Sequence, residues 1–201
     1  MHSRLRPAVG DAAAPRTLGW QAYLDRVLPA FTELQRQGLI VEWGITGVGH
    51  PDAVLDTLSG EVPPAAVQVV INALDMSGDM WIFGDRDAPS NQSILDAAVM
   101  AGVPVVGIRA VAAGALTDSF DRVIDPGHPA HGDYQRAQGV RRLAAEFGES
   151  AASLAHRYAL SVAGVATVVL GVKNRAELHE CLRAEERGPL TGAEMDAVRR
   201  L

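Results

Sequence analysis

The chain has 201 residues, 48% of them hydrophobic, and a net charge of −6; it is long enough to bury a sizeable core, and one compact domain is the expectation. The acidic balance argues against a nucleic-acid backbone or an anionic membrane surface as partner, because both attract basic patches. Cys181 is the single cysteine, which excludes an intrachain disulfide; with no apolar run near the ~20 residues of a membrane helix and no secretion-signal layout, a soluble cytoplasmic protein is expected.

Residues 1–19, with Pro7, Gly10, Pro15 and Gly19 among alanines, show no sustained period and read as a flexible arm or loop ahead of a single domain over residues 20–201. From Leu24 the apolar residues Val27, Leu28, Phe31 and Leu34 recur at helical spacing. Gly38 supplies the stop, and Pro29 is a candidate kink.

Four short runs rich in β-branched residues follow: Leu39 to Ile45, Ala66 to Ile71, Val103 to Ile108 and Ala166 to Leu170. Each is nearly continuously apolar, as a strand buried on both faces reads. Helical segments come after them in turn: Pro51 to Leu58, Asn91 to Ala101, Val140 to Phe147 with Ala151 to Leu160, and Ala176 to Ala184. Ser150 is a candidate N-cap for the stripe Ala151, Leu154, Ala155 and Tyr158. Thr191 begins a last amphipathic helix that runs to Leu201.

The stretch Thr117 to Gln138 reads as a long loop. It carries Asp121, Asp125, His128, His131, Asp133 and Tyr134, and because no helix presents the two histidines at i, i+4, no metal site is expected. His50, His156 and His179 read as surface or packing residues.

Strands alternating with helices demand parallel pairing through right-handed crossovers, so the fold class is α/β. Two architectures share the pattern: a four-strand doubly wound open sheet, and half of an eightfold (β/α)8 barrel. Gly47-Val48-Gly49 is too short a glycine motif to decide between them.

The segment ELQRQGLIVEWGITGVGHPD resembles the aldo-keto reductase family. The similarity continues in order through AVQVVINAL, AGVPVVGIRAVAAGALT, ASLAHRYALSVAGVATVVLGVKNRAEL and GPLTGAEMDAV. The resemblance implies an incomplete, half (β/α)8 TIM barrel, strands five to eight, and hydride transfer between a nicotinamide cofactor and a carbonyl.

It also implies roles for individual residues. HSRLRP resembles the segment after the fourth strand, which puts His2 at the family's catalytic histidine; the family's aspartate, tyrosine and lysine have no counterpart here. Thr46, Gln68 and Asn72 match positions around the nicotinamide carboxamide, with Gly47 in place of the asparagine beside Thr46. Gly114 and Leu116 match the loop along the pyrophosphate. Gly171, Lys173, Asn174 and Glu180 match the turn and helix start that hold the adenosine phosphate, where a helix N-terminus suits an anion.

Departures from the family pattern sharpen the expectation. Ile71 and Ile108 replace aromatics, Arg109 replaces a small residue, and Cys181 replaces an asparagine. Glu177 stands where a residue that binds the 2′-phosphate is common, so NADH is favoured over NADPH if NAD(P)H binds at all. Lys173, the only lysine, reads as a phosphate ligand and not as the family's catalytic lysine. Arg109, at the carboxyl end of a buried strand, is a candidate for an anionic ligand group.

Three functions therefore stand as expectations. One is a truncated aldo-keto-reductase-like oxidoreductase that needs a completing partner or a second copy to close its site. Another is a repurposed non-redox biosynthetic enzyme, a dehydratase, cyclase or isomerase, that retains Arg109 and has Asp121, Asp133, Tyr134 or His2 as acid-base groups. The third is a non-catalytic half-barrel whose open strand edges predict a homodimer.

Overall fold

A computed structural model describes residues 4–6, 17–78, 90–120, 123–124 and 127–201, with the backbone alone at 4–6, 17 and 129. His2, Asp121 and Asp125 lie outside the described residues. The chain divides into two compact units, residues 1–69 with 77–106 and residues 70–76 with 107–201.

Within the stretch read as an arm, β1 (Arg4–Arg6) and β2 (Thr17–Gly19) pair in parallel, Leu5 opposite Leu18. Three residues per strand are too few for any period to appear in the sequence. The first helix opens with α1 (Trp20–Ala22), passes through a π-helical turn at Tyr23–Val27 and continues as α2 (Leu28–Arg36). Pro29 lies inside this continuous helix, directly after the π-helical turn, and the widened turn makes room where an interior proline lacks its N–H and crowds the preceding turn.

Four parallel strands form one sheet in the order β3 (Gly44–Thr46), β4 (Ala66–Val70), β5 (Val105–Ile108) and β6 (Val165–Val168). Spatial order equals chain order. A doubly wound sheet reverses its order at a switch point, whereas successive neighbours joined by helices are the progression of a (β/α) barrel. The topology thus resolves the choice that the residue pattern left open.

The first strand is shorter than the run Leu39 to Ile45. Leu39 is 67% and Val41 88% exposed, while Ile40 between them packs on the cluster of Tyr23, Trp43 and Ala53, so this half of the run is covered on one face only. Trp43 is buried instead, stacked on Phe31 at 5.7 Å with its Nε1 donating to Gln35 at 3.1 Å. Gly44 is required where it stands: a Cβ there would lie 2.6 Å from the Ala66 carbonyl oxygen across the β3–β4 pair.

In the first unit, α3 (Pro51–Leu58) and α4 (Asn91–Met100) bury Val54, Leu58, Ile94, Leu95 and Ala98. In the second, α6 (Gln138–Glu146), α7 (Ala151–Ser161), α8 (Arg175–Glu186) and α9 (Gly192–Arg199) surround a core centred on α7, whose residues Ala151 through Ala159 are all buried. Ser150 caps α7 by accepting from the Ser153 amide, and Thr191 with Glu194 forms a reciprocal capping box on α9.

The segment read as a long loop contains a helix, α5 (Pro129–Arg136). His128 is its N-cap, Nδ1 accepting from the Ala130 amide at 3.1 Å. Histidine is an uncommon cap and the helix has no apolar stripe, so periodicity could not reveal it. Among the described residues no group of three or more potential metal ligands occurs, and no described helix is long and apolar enough to cross a membrane.

Candidate functional site

The second unit holds a cavity of about 750 Å³, within the size range of small-molecule sites. Its walls come from the loop after β5, the amino end of α7, the turn after β6 and the start of α8. Arg109, Gly114, Gly171, Lys173, Glu177 and Glu180 all line it. Residues 62 positions apart in the chain, Arg109 and Gly171, thereby meet around one space.

The β5 loop is strained. Arg109, Ala112 and Ala113 have φ of 58°, 49° and 56°, a region that costs a non-glycine residue about 1–2 kcal/mol. Asn72 holds the first of these in place. It is fully buried, donates through Nδ2 to the Arg109 carbonyl at 3.1 Å and accepts from the Leu74 amide at 2.9 Å. Burial lowers the guanidinium pKa of Arg109, while the Asp75 carboxylate pulls it back up. Leu116 is wholly buried behind the same loop, so it shapes the wall from behind and does not face the cavity.

The α8 end is capped from within. Asn174 is the N-cap, its Oδ1 accepting from the Glu177 amide at 3.0 Å and its Nδ2 donating to Glu177 Oε1 at 3.0 Å. The other carboxylate oxygen of Glu177 accepts from the Lys173 amide at 2.7 Å. A phosphate at this helix start would need that amide and the positive end of the helix, and Glu177 already occupies both. Glu180 accepts from the Ser150 hydroxyl.

In the first unit, Thr46 and Gln68 face each other across the β3–β4 pair, Thr46 Oγ1 donating to Gln68 Oε1 at 3.2 Å. The two residues expected to serve one carboxamide are thus adjacent, and each occupies the other. Asp133 and Tyr134 do not line the cavity. Asp133 pairs with Arg136 at 2.5 Å, and Tyr134 donates to the Asp118 carbonyl at 2.7 Å beneath the Arg141 guanidinium, 3.8 Å from its ring centroid.

Sequence reasoning missed His156. It is 6% exposed, lines the cavity with Ala152 one turn earlier, and directs Nε2 at Cys181 Sγ, 4.0 Å away; its Nδ1 has no hydrogen-bond partner. Burial holds the imidazole pKa down, against the opposing pull of Glu180. The sequence offered little signal, since α7 also carries Ser153 and Arg157 and a histidine among them does not stand out.

The model of the aldo/keto reductase family matches residues 11–201. Aldo-keto reductase AKR11C1 from Bacillus halodurans is similar in its holo form, with a TM-score of 0.68 and 22% identity over 88% of this chain and 55% of that one. Its apo form gives 0.66 and 22% over 96% and 59%. The chain thus spans less than two thirds of the length of these structures, and at that identity the likeness speaks for the fold. No curated protein matches. With four parallel strands in barrel order and a family match over all but the first ten residues, the chain belongs to the aldo/keto reductase family.

Proposed function

We propose that the chain is the cofactor-gripping part of an aldo-keto-reductase-type oxidoreductase, and that its cavity takes the adenosine-diphosphate end of NADH in preference to NADPH. The observation that carries this reading is the Glu177 carboxylate on the Lys173 amide. It leaves the helix start unable to receive a phosphate without expelling a charge. When bound, a nicotinamide cofactor supplies or accepts the hydride.

The residues of this chain do the holding. Glu177 and Glu180 accept from ribose hydroxyls and base donors, Lys173 balances phosphate charge, and Gly114 and Gly171 allow close approach of a pyrophosphate to backbone. Arg109, on its strained loop, holds an anionic group of the ligand.

Closure of the site calls for further strands, from a partner chain, a second copy or additional sequence. In support, β6, the last strand of the sheet, leaves Ala166 and Thr167 exposed, and Val169 just after it is 54% exposed; an open strand edge of this kind invites pairing.

Isothermal calorimetry with each cofactor tests the assignment. NADH is expected to bind at least about tenfold more tightly than NADPH, a difference of ~1.4 kcal/mol, and Glu177→Gln narrows the gap. Equal affinities in the unaltered chain, or no heat with either cofactor, overturn it.

A further inference from the structure

We propose that Cys181 is a covalent-capture site for small uncharged electrophiles, specifically electron-poor alkenes, that enter the cavity of the second unit, with His156 taking the thiol proton. The inference rests on the same cavity as the cofactor reading but not on the identity of the cofactor. Its basis is the pairing of the chain's one thiol with a side chain that is otherwise unexplained. His156 is more than nine-tenths buried, lines the cavity, and spends one ring nitrogen on Cys181 at 4.0 Å while the other has no partner. A buried imidazole nitrogen with an unmet hydrogen bond is destabilising. Depressed by burial, it is neutral near pH 7 and free to accept a proton.

The charges beside the thiol select the reagent. Burial, and then the carboxylates of Glu180 and Glu177, raise the Cys181 pKa; the same field that disfavours a thiolate repels an anionic electrophile. The resting form is therefore the thiol, and reaction requires the proton to leave as sulfur attacks. In the step, the Sγ–C bond forms and the alkene π pair moves to the neighbouring carbon. The thiol proton passes to His156 Nε2 and then to that carbon. Nothing is oxidised or reduced, and no group departs.

The test uses the full chain and two reagents that differ in charge, N-ethylmaleimide and 3-maleimidopropionic acid, with adducts counted by intact mass. Because Cys181 is the only cysteine, one added mass reports one site. The expected result is a single adduct, with the neutral reagent preferred at least about fivefold beyond the preference that a small free thiol shows, a ratio of the size expected from one or two nearby charges. His156→Gln slows the neutral reaction by about tenfold or more, a modest share of what a positioned base supplies, while Cys181→Ser abolishes labelling.

Reaction without charge preference, or at an unchanged rate in a His156→Gln chain of unchanged circular dichroism, overturns the proposal. NADH added to the same assay separates the two readings. Labelling that persists unchanged under saturating NADH overturns the dinucleotide assignment and leaves capture standing; an inert thiol in a chain that binds NADH overturns capture alone.

Discussion

Asn72 fixes the backbone of Arg109: its amide nitrogen donates to the Arg109 carbonyl at 3.1 Å while its oxygen takes the Leu74 amide at 2.9 Å. A wholly buried side chain thus holds a residue in a left-handed conformation that its own chemistry disfavours. Asn72→Ala leaves an acceptor and a donor unmet in the interior. The expected loss is about 3 kcal/mol, read as a lower urea midpoint, whereas a midpoint within error of the unaltered chain would mean that the loop holds itself.

Arg157 anchors a second buried network. Its NH1 lies 2.6 Å from Glu149 Oε1, with both side chains about 95% buried, its Nε donates to the Gly188 carbonyl at 3.0 Å, and Glu194 stands 3.4 Å from NH2. Arg157→Ala leaves the buried Glu149 carboxylate with the Ser153 hydroxyl at 2.6 Å and the more distant Arg187 at 3.7 Å as its remaining partners, and is expected to cost ~3 kcal/mol. Replacing both partners, Arg157→Met with Glu149→Leu, should cost less than the single change, because no uncompensated charge remains. Chemical denaturation of the three chains decides it.

His156 gives the protein a pH dependence of defined sign. Its folded pKa lies below the ordinary 6.5 because burial outweighs the pull of Glu180. As pH falls through about 6.5, the unfolded chain takes up a proton that the folded one refuses, so stability declines there and levels off once the folded pKa is passed. His156→Gln removes this component. Melting temperatures at pH 7.5 and 5.5 should therefore converge more in the variant than in the unaltered chain.

How far the sequence foretells these features depends on which force makes them. The helix Pro51–Leu58 and the caps at Ser150 and Thr191 come out where the residue pattern places them, because local hydrogen bonding and apolar spacing decide them. The strand at Gly44–Thr46 is shorter than its apolar run, since pairing and burial, not composition, set where Leu39 and Val41 end up. The helix after His128 escaped because neither its cap nor its surface follows the common chemistry.

At the candidate site, Gly114, Gly171, Lys173, Glu177 and Glu180 line one cavity. The strain at Arg109 and the His156–Cys181 contact are tertiary events. Positive φ at an arginine has no one-letter signature, and a histidine in a helix reads the same whether its ring meets solvent or a thiol.

The internal capping of α8 changes what binding at that turn means. An anion arriving at the Lys173 amide finds the protein's own carboxylate there first, so its docking is an exchange of one negative group for another. Such an exchange gains little net electrostatic energy, and added salt should weaken it far less than it weakens capture by an open basic site. The helix end is already matched by the chain's own anion.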